Sequence, residues 1–407
     1  MNKSLLVVTS RFAAAALLAL AGCGGGADTK TGSGGTGDTP PPAEPTVASG
    51  ALTGLGPLGL AGASFDDATT QVLLNINAGV SANQLRLGMT ANTNGTASSA
   101  TASGRAFGAV VQSLVLGPAT SVDAPANRLT VLSIAVRVDQ NTLLAGLNSL
   151  AELRVGDVVE VFGLALPTGQ GILATRLIVQ RPASSANVEV LGVISQVGAT
   201  SLVLQGIPVN LANTRIGASG ATGVVFSPSP GPAALTTGVL ARVIGVYDSA
   251  TGGLNATTIA TSLAPARVEG ELVFIEGFVR EPLGSAVAAT RFSLPDLDIE
   301  IGSVPAVAGS IVSGTRVRVR GKMQMGVLKA EAIDIIAPSA RTEFVVAGEV
   351  AAFTSAALFE VRGELIDATL ATFSGGTIGN LATGKRVRVK GFAGPGRLVA
   401  SEVLFVN

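Results

Sequence analysis

Few side chains in this sequence could carry out chemistry. The chain has no His, a single Cys at Cys23 and a single Tyr at Tyr247. Without His, the most common general base, the most common zinc ligand and the Ser- and Cys-hydrolase triads are all missing. A lone Cys cannot form an internal disulfide. The sequence therefore predicts no catalytic residue, no metal site and no cofactor.

Cys23 itself ends an N-terminal targeting pattern. Lys3 and Arg11 precede the apolar run 12–20, which is too short to span a bilayer, and small residues follow it. The segment 20–23, LAGC, resembles the lipobox of bacterial lipoproteins. That resemblance implies a lipid on the Cys23 thiol, cleavage before Cys23 and acylation of the new amino terminus. The alternative is an ordinary secretory signal with an incidental Cys beside its cleavage site.

Residues 23–48 read as a tether because Gly, Ser, Thr and Pro dominate them and almost nothing could enter a core. Gly24 follows the Cys, which in lipoproteins of Gram-negative bacteria implies transfer to the outer membrane. We therefore expect a cell-envelope protein, held on the outer membrane by its lipid, with the folded part facing the periplasm or the surface. The membrane, which the lipid would contact, is therefore one expected partner of the protein.

Two rows of basic residues could bind a polyanion, because alternate residues of a strand share one face. The rows are Arg316, Arg318, Arg320 and Arg386, Arg388, Lys390. Neither row contains an aromatic residue for base stacking, and the formal net charge of the chain is zero, which disfavours nucleic acid. The competing interpretation is cross-strand pairing with the acidic residues Asp296, Asp298, Glu300, Glu360 and Glu364.

Other motifs carry less weight. Residues 54–59 fit GxGxxG, but Pro57 and the lack of a following helix argue against a dinucleotide site. Residues 379–385 resemble a P-loop in which Arg386 replaces the hydroxyl residue that would hold Mg²⁺. The row Asp296, Asp298 and Glu300 could bind Ca²⁺, although one flat face does not wrap an ion. A carboxylate pair could still support glycan hydrolysis, because that chemistry needs no His.

The elements that would position these residues are revealed by an internal repeat. The pattern is Leu or Ile, two residues, Gly, six residues and a second Gly, and it occurs five times. Its glycine pairs are Gly88 and Gly95, Gly156 and Gly163, Gly238 and Gly245, Gly314 and Gly321, and Gly384 and Gly391.

Apolar strands that carry their own glycines, Gly108, Gly192, Gly277 and Gly348, precede the pairs, and further strands follow them. Val-rich alternation between the paired glycines indicates strands, and the segment 141–153 is the only helical candidate. We expect an all-β chain of about five small barrels. The expected divisions are 1–22 signal, 23–48 lipidated Cys and tether, and repeats 49–104, 105–182, 187–264, 267–338 and 343–407.

Two parts of the sequence resemble the DUF5666 proteins, whose domain of unknown function occurs in tandem in bacterial lipoproteins. The first is the segment that begins at Ser49, together with LRLGM from Leu85. The second is LRVGDVVEVFG from Leu153, together with ILATRLIV. The resemblance runs over residues 49–407 and implies OB-like barrels without implying an activity. Two places depart from it. The segment 89–95 lacks the Val alternation, and a Gly-, Ser- and Pro-rich loop follows Gly217.

We therefore expect a noncatalytic envelope lipoprotein whose barrels bind a protein or a polymer. Polyanion binding by the basic rows is the alternative, and a carboxylate-based glycan hydrolase is the remote one.

Overall fold

A computed structural model describes residues 42–75, 77–169, 171–180, 187–212, 215–218, 235–261, 267–285, 288–302, 304 and 311–406. This part of the chain consists of β-strands and short 3₁₀ turns, and it contains no helix long and apolar enough to cross a membrane. Five small barrels follow one another along it, as the five glycine pairs predict.

The first barrel is complete although its repeat departs most from the pattern. Its strands are β1 (Glu44–Leu55), β2 (Leu58–Leu60), β3 (Ala63–Asp66), β4 (Gln71–Leu74), β5 (Asn77–Val80), β6 (Thr90–Ser98) and β7 (Ser103–Val111). The order β1-β2-β3-β7-β6 closes on itself, with β3 parallel to β7, as in an OB-like barrel. Strand β6 alternates as a strand should, but the smaller residues Ala91 and Thr93 take inward positions at which most other repeats have Val.

The bounds of this barrel differ from the expected ones at both ends. Strand β1 begins at Glu44, inside the expected tether, and the expected boundary between 104 and 105 lies within β7. Strand β7 contains FGAVV around Gly108, which looks like an opening strand but closes the first barrel. The second barrel opens later, at Val115.

The second and third barrels repeat this order. The second contains β8 (Val115–Asp123), β9 (Arg128–Val131), β10 (Ile134–Arg137), β11 (Leu143–Ala145), β12 (Val158–Ala165) and β13 (Ile172–Gln180). The third contains β14 (Asn187–Val197), β15 (Ser201–Leu204), β16 (Ile207–Asn210), β17 (Arg215–Ala218), β18 (Leu240–Asp248) and β19 (Gly253–Thr261). The helical candidate 141–153 forms only strand β11 and a 3₁₀ turn over Leu150–Glu152. Most of the loop after Gly217 lies outside the described residues.

The last two barrels keep the pattern. The fourth contains β20 (Leu272–Phe278), β21 (Pro282–Ser285), β22 (Ala288–Leu294), β23 (Leu297–Glu300), β24 (Arg316–Gln324) and β25 (Val327–Ile336). The fifth contains β26 (Phe344–Ser355), β27 (Leu358–Val361), β28 (Glu364–Asp367), β29 (Thr372–Ser374), β30 (Arg386–Gly394) and β31 (Arg397–Phe405).

The repeated glycines have two different physical roles, seen clearly in the fifth barrel. Gly384 has φ +81, and its N–H donates to the Val350 carbonyl at 2.9 Å, which ties the turn before β30 to the first strand. Leu381, three residues earlier, is buried in the core. Gly391 sits at a β-bulge, where an added Cβ would overlap the carbonyl oxygen of Val399. The fixed spacing is therefore the length of one strand between a turn and a bulge.

The barrels are joined to one another by strand pairing, and the first barrel pairs with both the fourth and the fifth. Strand β1 pairs in parallel with β20 over 46–49 and with β26 at 54–55. Strands β8 and β14 join the second and third barrels at Val115 and Val190. One buried hydrophobic cluster contains residues of the first and fifth barrels, and another contains those of the second and third. The order of contacts in space is thus not the order of repeats in the chain.

Two buried polar junctions fix this arrangement. At the first, Arg176 of the second barrel contacts Glu364 of the fifth at 3.0 Å, and Glu364 also accepts the Leu87 N–H of the first barrel at 2.7 Å. At the second, Arg242 of the third barrel contacts Glu189 of the same barrel at 2.8 Å and donates to the Ser113 carbonyl, which lies between the first and second barrels, at 2.7 Å. Nearby, Asn75 Nδ2 of the first barrel donates to Glu160 Oε1 of the second.

The second junction makes stability depend on pH. Burial raises the pKa of Glu160, assisted by the neighbouring Glu189 carboxylate and opposed by the hydrogen bond from Asn75. The folded state thus holds the Glu160 proton more tightly than the unfolded chain does, so this group destabilises the fold as the pH rises above its unfolded pKa.

We expect Glu160→Gln to increase the free energy of unfolding at pH 7 and to have little effect at pH 4, because the amide cannot ionise and still accepts from Asn75. Urea unfolding at several pH values measures this. Glu152→Gln, an exposed change in the same barrel, is the control. A gain that is equal at both pH values would contradict the assignment.

Candidate binding cleft

A cleft of about 1330 Å³ opens between the first and fifth barrels. Strands β1 and β26 pair only at 54–55, and Gly56 and Pro57, which come directly after this pairing, line the cleft. The first barrel contributes the turn after β3 and the loop before Leu85, while the fifth contributes β26, the β27–β28 hairpin and the start of β30. Such a concave space between fused modules is where a ligand site is expected.

The wall formed by the first barrel is rich in hydroxyl groups. The hydroxyl side chains that line it belong to Ser64, Thr69, Thr70, Ser81 and Ser103. Asp66 Oδ1 accepts the Ala68 N–H at 3.1 Å and Ser81 Oγ accepts the Asn83 N–H at 3.2 Å. These short side chains form turns because they replace backbone hydrogen bonds, and the same groups give the wall its donors and acceptors.

The wall formed by the fifth barrel carries charge. Glu349, Glu360, Arg362 and Arg386 line it. Arg362 occupies the hairpin turn with φ +49 and donates to Asp67 of the first barrel at 2.9 Å, with both side chains mostly buried. This ion pair joins the two walls, so Arg362 and Asp67 hold the cleft in shape.

Arg86 is held in place as well. Its Nη1 donates to the Asn83 and Leu85 carbonyls at 2.6 and 2.9 Å, and an atom added at Gly363 of the fifth barrel would overlap its guanidinium. Burial lowers the pKa of Arg86 from its ordinary value. Arg86 therefore packs the two barrels together at one end of the cleft.

Arg386 differs from these two arginines. It is exposed, lies opposite Glu349 in the strand register and has no hydrogen-bond or ion-pair partner for its side chain among the described residues. Arg386 is therefore the cleft cation that remains available to a ligand.

The structure separates the six residues of the basic rows. Buried Glu276 contacts Arg316 at 2.5 Å and Arg318 at 3.2 Å. Arg320 donates to the Ser99 carbonyl at 2.9 Å, and Lys390 contacts Glu402 at 2.8 Å. Arg386 and Arg388 are exposed and make no ion pair within the described chain.

The partners differ from those expected from sequence. Glu276 and Glu402 are not among the acidic residues that the sequence indicates, because strand pairing rather than proximity along the chain brings them beside the cations. The expected acidic partners contact other groups. Asp296 pairs with Arg267 at 2.7 Å, Glu300 with Arg291 at 2.8 Å, and Ser293 donates to Asp298 at 2.7 Å. No group of three or more carboxylate, His or Cys side chains that could hold a metal occurs in the described part.

The two loop motifs have structural explanations. Residues 54–59 form the β1–β2 connection, in which Gly54 and Gly59 face each other too closely for a Cβ, and no helix follows. Residues 379–385 form the turn before β30, and every repeat has such a turn before the equivalent strand. Cys23, the signal 1–22 and the tether up to residue 41 lie outside the described residues.

Two barrels match a known family. A family model described as "Domain of unknown function (DUF5666)" matches residues 117–177 and 347–403, which lie in the second and fifth barrels. This family description names no activity. A comparison with curated proteins gives no match.

Among solved structures, Drosophila Unr CSD456 is similar to this chain with 14% identity and a TM-score of 0.12. The match covers 53% of this chain and 96% of that one. A likeness at this TM-score supports no conclusion about function.

Chemically, the cleft can hold a polar ligand by hydrogen bonds and one free cation. Its lining residues offer hydroxyls, an amide, four carboxylates and three guanidiniums, and none of them has an aromatic ring. Its volume exceeds that of a typical drug-sized pocket, which is roughly 300–1,000 Å³. An extended polar segment fits these properties better than a small apolar molecule.

Proposed function

We propose that this protein is a noncatalytic, lipid-anchored binding protein of the bacterial envelope, and that the cleft between its first and fifth barrels binds an extended polar segment of an envelope protein or polymer. The observation that carries the proposal is the cleft itself, with hydroxyl groups on one wall and the unpaired Arg386 on the other.

The anchoring part of the proposal is supported by the sequence of residues 1–23. The lipobox-like LAGC places the only Cys of the chain at the point where a lipoprotein needs it. A lipid at Cys23, followed by a tether, would keep the barrels near the membrane while leaving the cleft open to its partner.

The binding part can be tested by site-specific photo-crosslinking in intact cells. A photoreactive residue at Ser81 lies in the cleft, and one at exposed Arg154 lies on the second barrel, away from it. We expect an adduct from position 81 only.

Arg386→Glu in the same protein should remove the adduct, because it replaces the free cation by an anion. Arg388→Glu is the matched control, since Arg388 is exposed on the same strand but does not line the cleft. An adduct that survives Arg386→Glu, or one that forms equally from position 154, would rule out the cleft as the binding site.

Glycan hydrolysis by carboxylates is the second candidate, because Asp66, Asp67, Glu349 and Glu360 all line the cleft. Asp67 is engaged with Arg362, which leaves Asp66, Glu349 and Glu360 for acid–base work. Incubation with purified envelope glycans, compared with the double variant Asp66→Asn and Glu349→Gln, tests it. Turnover that the double variant abolishes would replace the binding proposal by this one.

A further inference from the structure

The outer face of the second barrel carries two arginines that oppose each other. In the antiparallel pair β9 and β10, Arg128 lies directly opposite Arg137. Their neighbours Leu129 and Val136 are buried in the core, so strand alternation places both guanidiniums on the outer face. Like charges directly opposite in a strand pair destabilise it.

Other repeats avoid this repulsion at the same register position. In the fourth barrel the equivalent pair is Arg291 and Glu300, which form an ion pair at 2.8 Å. In the third barrel the equivalent residues are the uncharged Ser201 and Asn210. The fold therefore accepts a complementary or a neutral pair here, and the second barrel has neither.

The surroundings do not neutralise the two arginines. Asp123 is 3.6 Å from Arg128, but their side chains are 56% and 61% exposed, so water weakens the contact. Arg137 has no hydrogen-bond or ion-pair partner for its side chain within the described chain. One carboxylate thus faces two cations.

The two arginines also line a hollow rather than a flat surface. It has a volume of about 300 Å³ and includes Ser121 and Thr130, whose hydroxyl oxygens are 2.9 Å apart. Two guanidinium forks beside hydroxyl groups suit an oxyanion carried on a hydroxylated molecule, because the guanidinium fork matches carboxylate and phosphate oxygens.

We propose that this hollow is an oxyanion site that binds the carboxylate or phosphate group of an acidic sugar, and that the bound anion relieves the repulsion between Arg128 and Arg137. The site is separate from the cleft, since Arg386 and Ser81 belong to other barrels. If the hollow binds no oxyanion, the function proposed for the cleft is not affected.

The variant Arg137→Glu tests the proposal because it gives the second barrel the ion pair of the fourth. Arg154→Glu, an exposed charge reversal in the same barrel, is the matched control. The probes are glucuronate, glucose 6-phosphate and glucose, titrated into the full chain while the arginine side-chain NMR signals are followed. Thermal unfolding of both variants is measured in parallel.

We expect an acidic probe to bind the wild type and Arg154→Glu at least ten times more tightly than glucose, and to lose at least tenfold in affinity in Arg137→Glu. The acidic probe that binds more tightly identifies carboxylate or phosphate as the natural group. Arg137→Glu should also melt at a higher temperature than Arg154→Glu. Equal affinity or equal melting temperature of the two variants, or no response to either acidic probe, would overturn the proposal.

Discussion

Glu364→Leu should lower the free energy of unfolding by about 3–5 kcal/mol, because it leaves a buried guanidinium without its counter-ion. The Arg176 and Glu364 side chains are only 7% and 6% exposed, and Glu364 also accepts the Leu87 N–H. One substitution would thus remove contacts that join three barrels. Urea unfolding of the purified protein measures the loss.

The double variant Arg176→Met and Glu364→Leu is the informative partner of this experiment. It removes both charges, so it should recover much of the lost stability. Glu402→Leu is the control, since its ion pair with Lys390 is about one-third exposed and should contribute less than about 1 kcal/mol. A double variant as unstable as Glu364→Leu alone would show that the backbone contact of Leu87, rather than charge pairing, governs the junction.

Cys23→Ser should move the protein almost entirely from the membrane to the soluble fraction, according to the proposed anchor. A Ser hydroxyl does not replace the thiol that would carry the lipid, and acyl chains contribute about 0.8 kcal/mol for each buried CH₂. Cell fractionation, with labelled palmitate to report acylation, measures both effects.

The soluble variant should melt like the wild type, because the first barrel strand begins at Glu44, well beyond Cys23. Ser33→Ala, a change in the tether, is the control and should stay labelled and membrane-bound. A Cys23→Ser protein that remains in the membrane fraction and still incorporates palmitate would refute the anchor.

Much of the fold could be predicted because one local pattern determines each barrel. The first glycine of each pair adopts a positive φ in a turn, and the second lies at a β-bulge. Both requirements depend only on residues nearby in the chain, so both glycines are present in every repeat. The first repeat shows how the alternation can be missed. A search for Val overlooks Ala91, Thr93 and Ala97, although they are buried on the same side of the strand.

The boundary between the first two barrels could not be predicted from pattern alone. Both Gly108 and Gly117 lie in short apolar strands, and only the pairing shows that the first closes one barrel and the second belongs to the opening strand of the next. Gly117 also lies nearer to Gly156, a spacing more like that of the later repeats.

The cleft could not be predicted from the sequence because its existence depends on which barrels contact each other. No local pattern indicates that β1 pairs with β20 and β26. A signal did exist at Arg362, which occupies a hairpin position that holds Ala61, Leu132 and Gln205 in the first three repeats. An arginine in place of a short or uncharged side chain at such a turn indicates a partner outside its own barrel.

The parallel pairing of β1 with β20 and β26 also constrains how the chain is made. Synthesis produces the first barrel before the fourth and fifth exist, so the edge of β1 that pairs with β20 stays uncovered until more than half of the protein has been made. An uncovered strand edge is a template for aggregation, which the cell must delay or shield. The pairing therefore constrains the number of repeats. A chain that ended after the third barrel would leave the edge of β1 permanently unpaired.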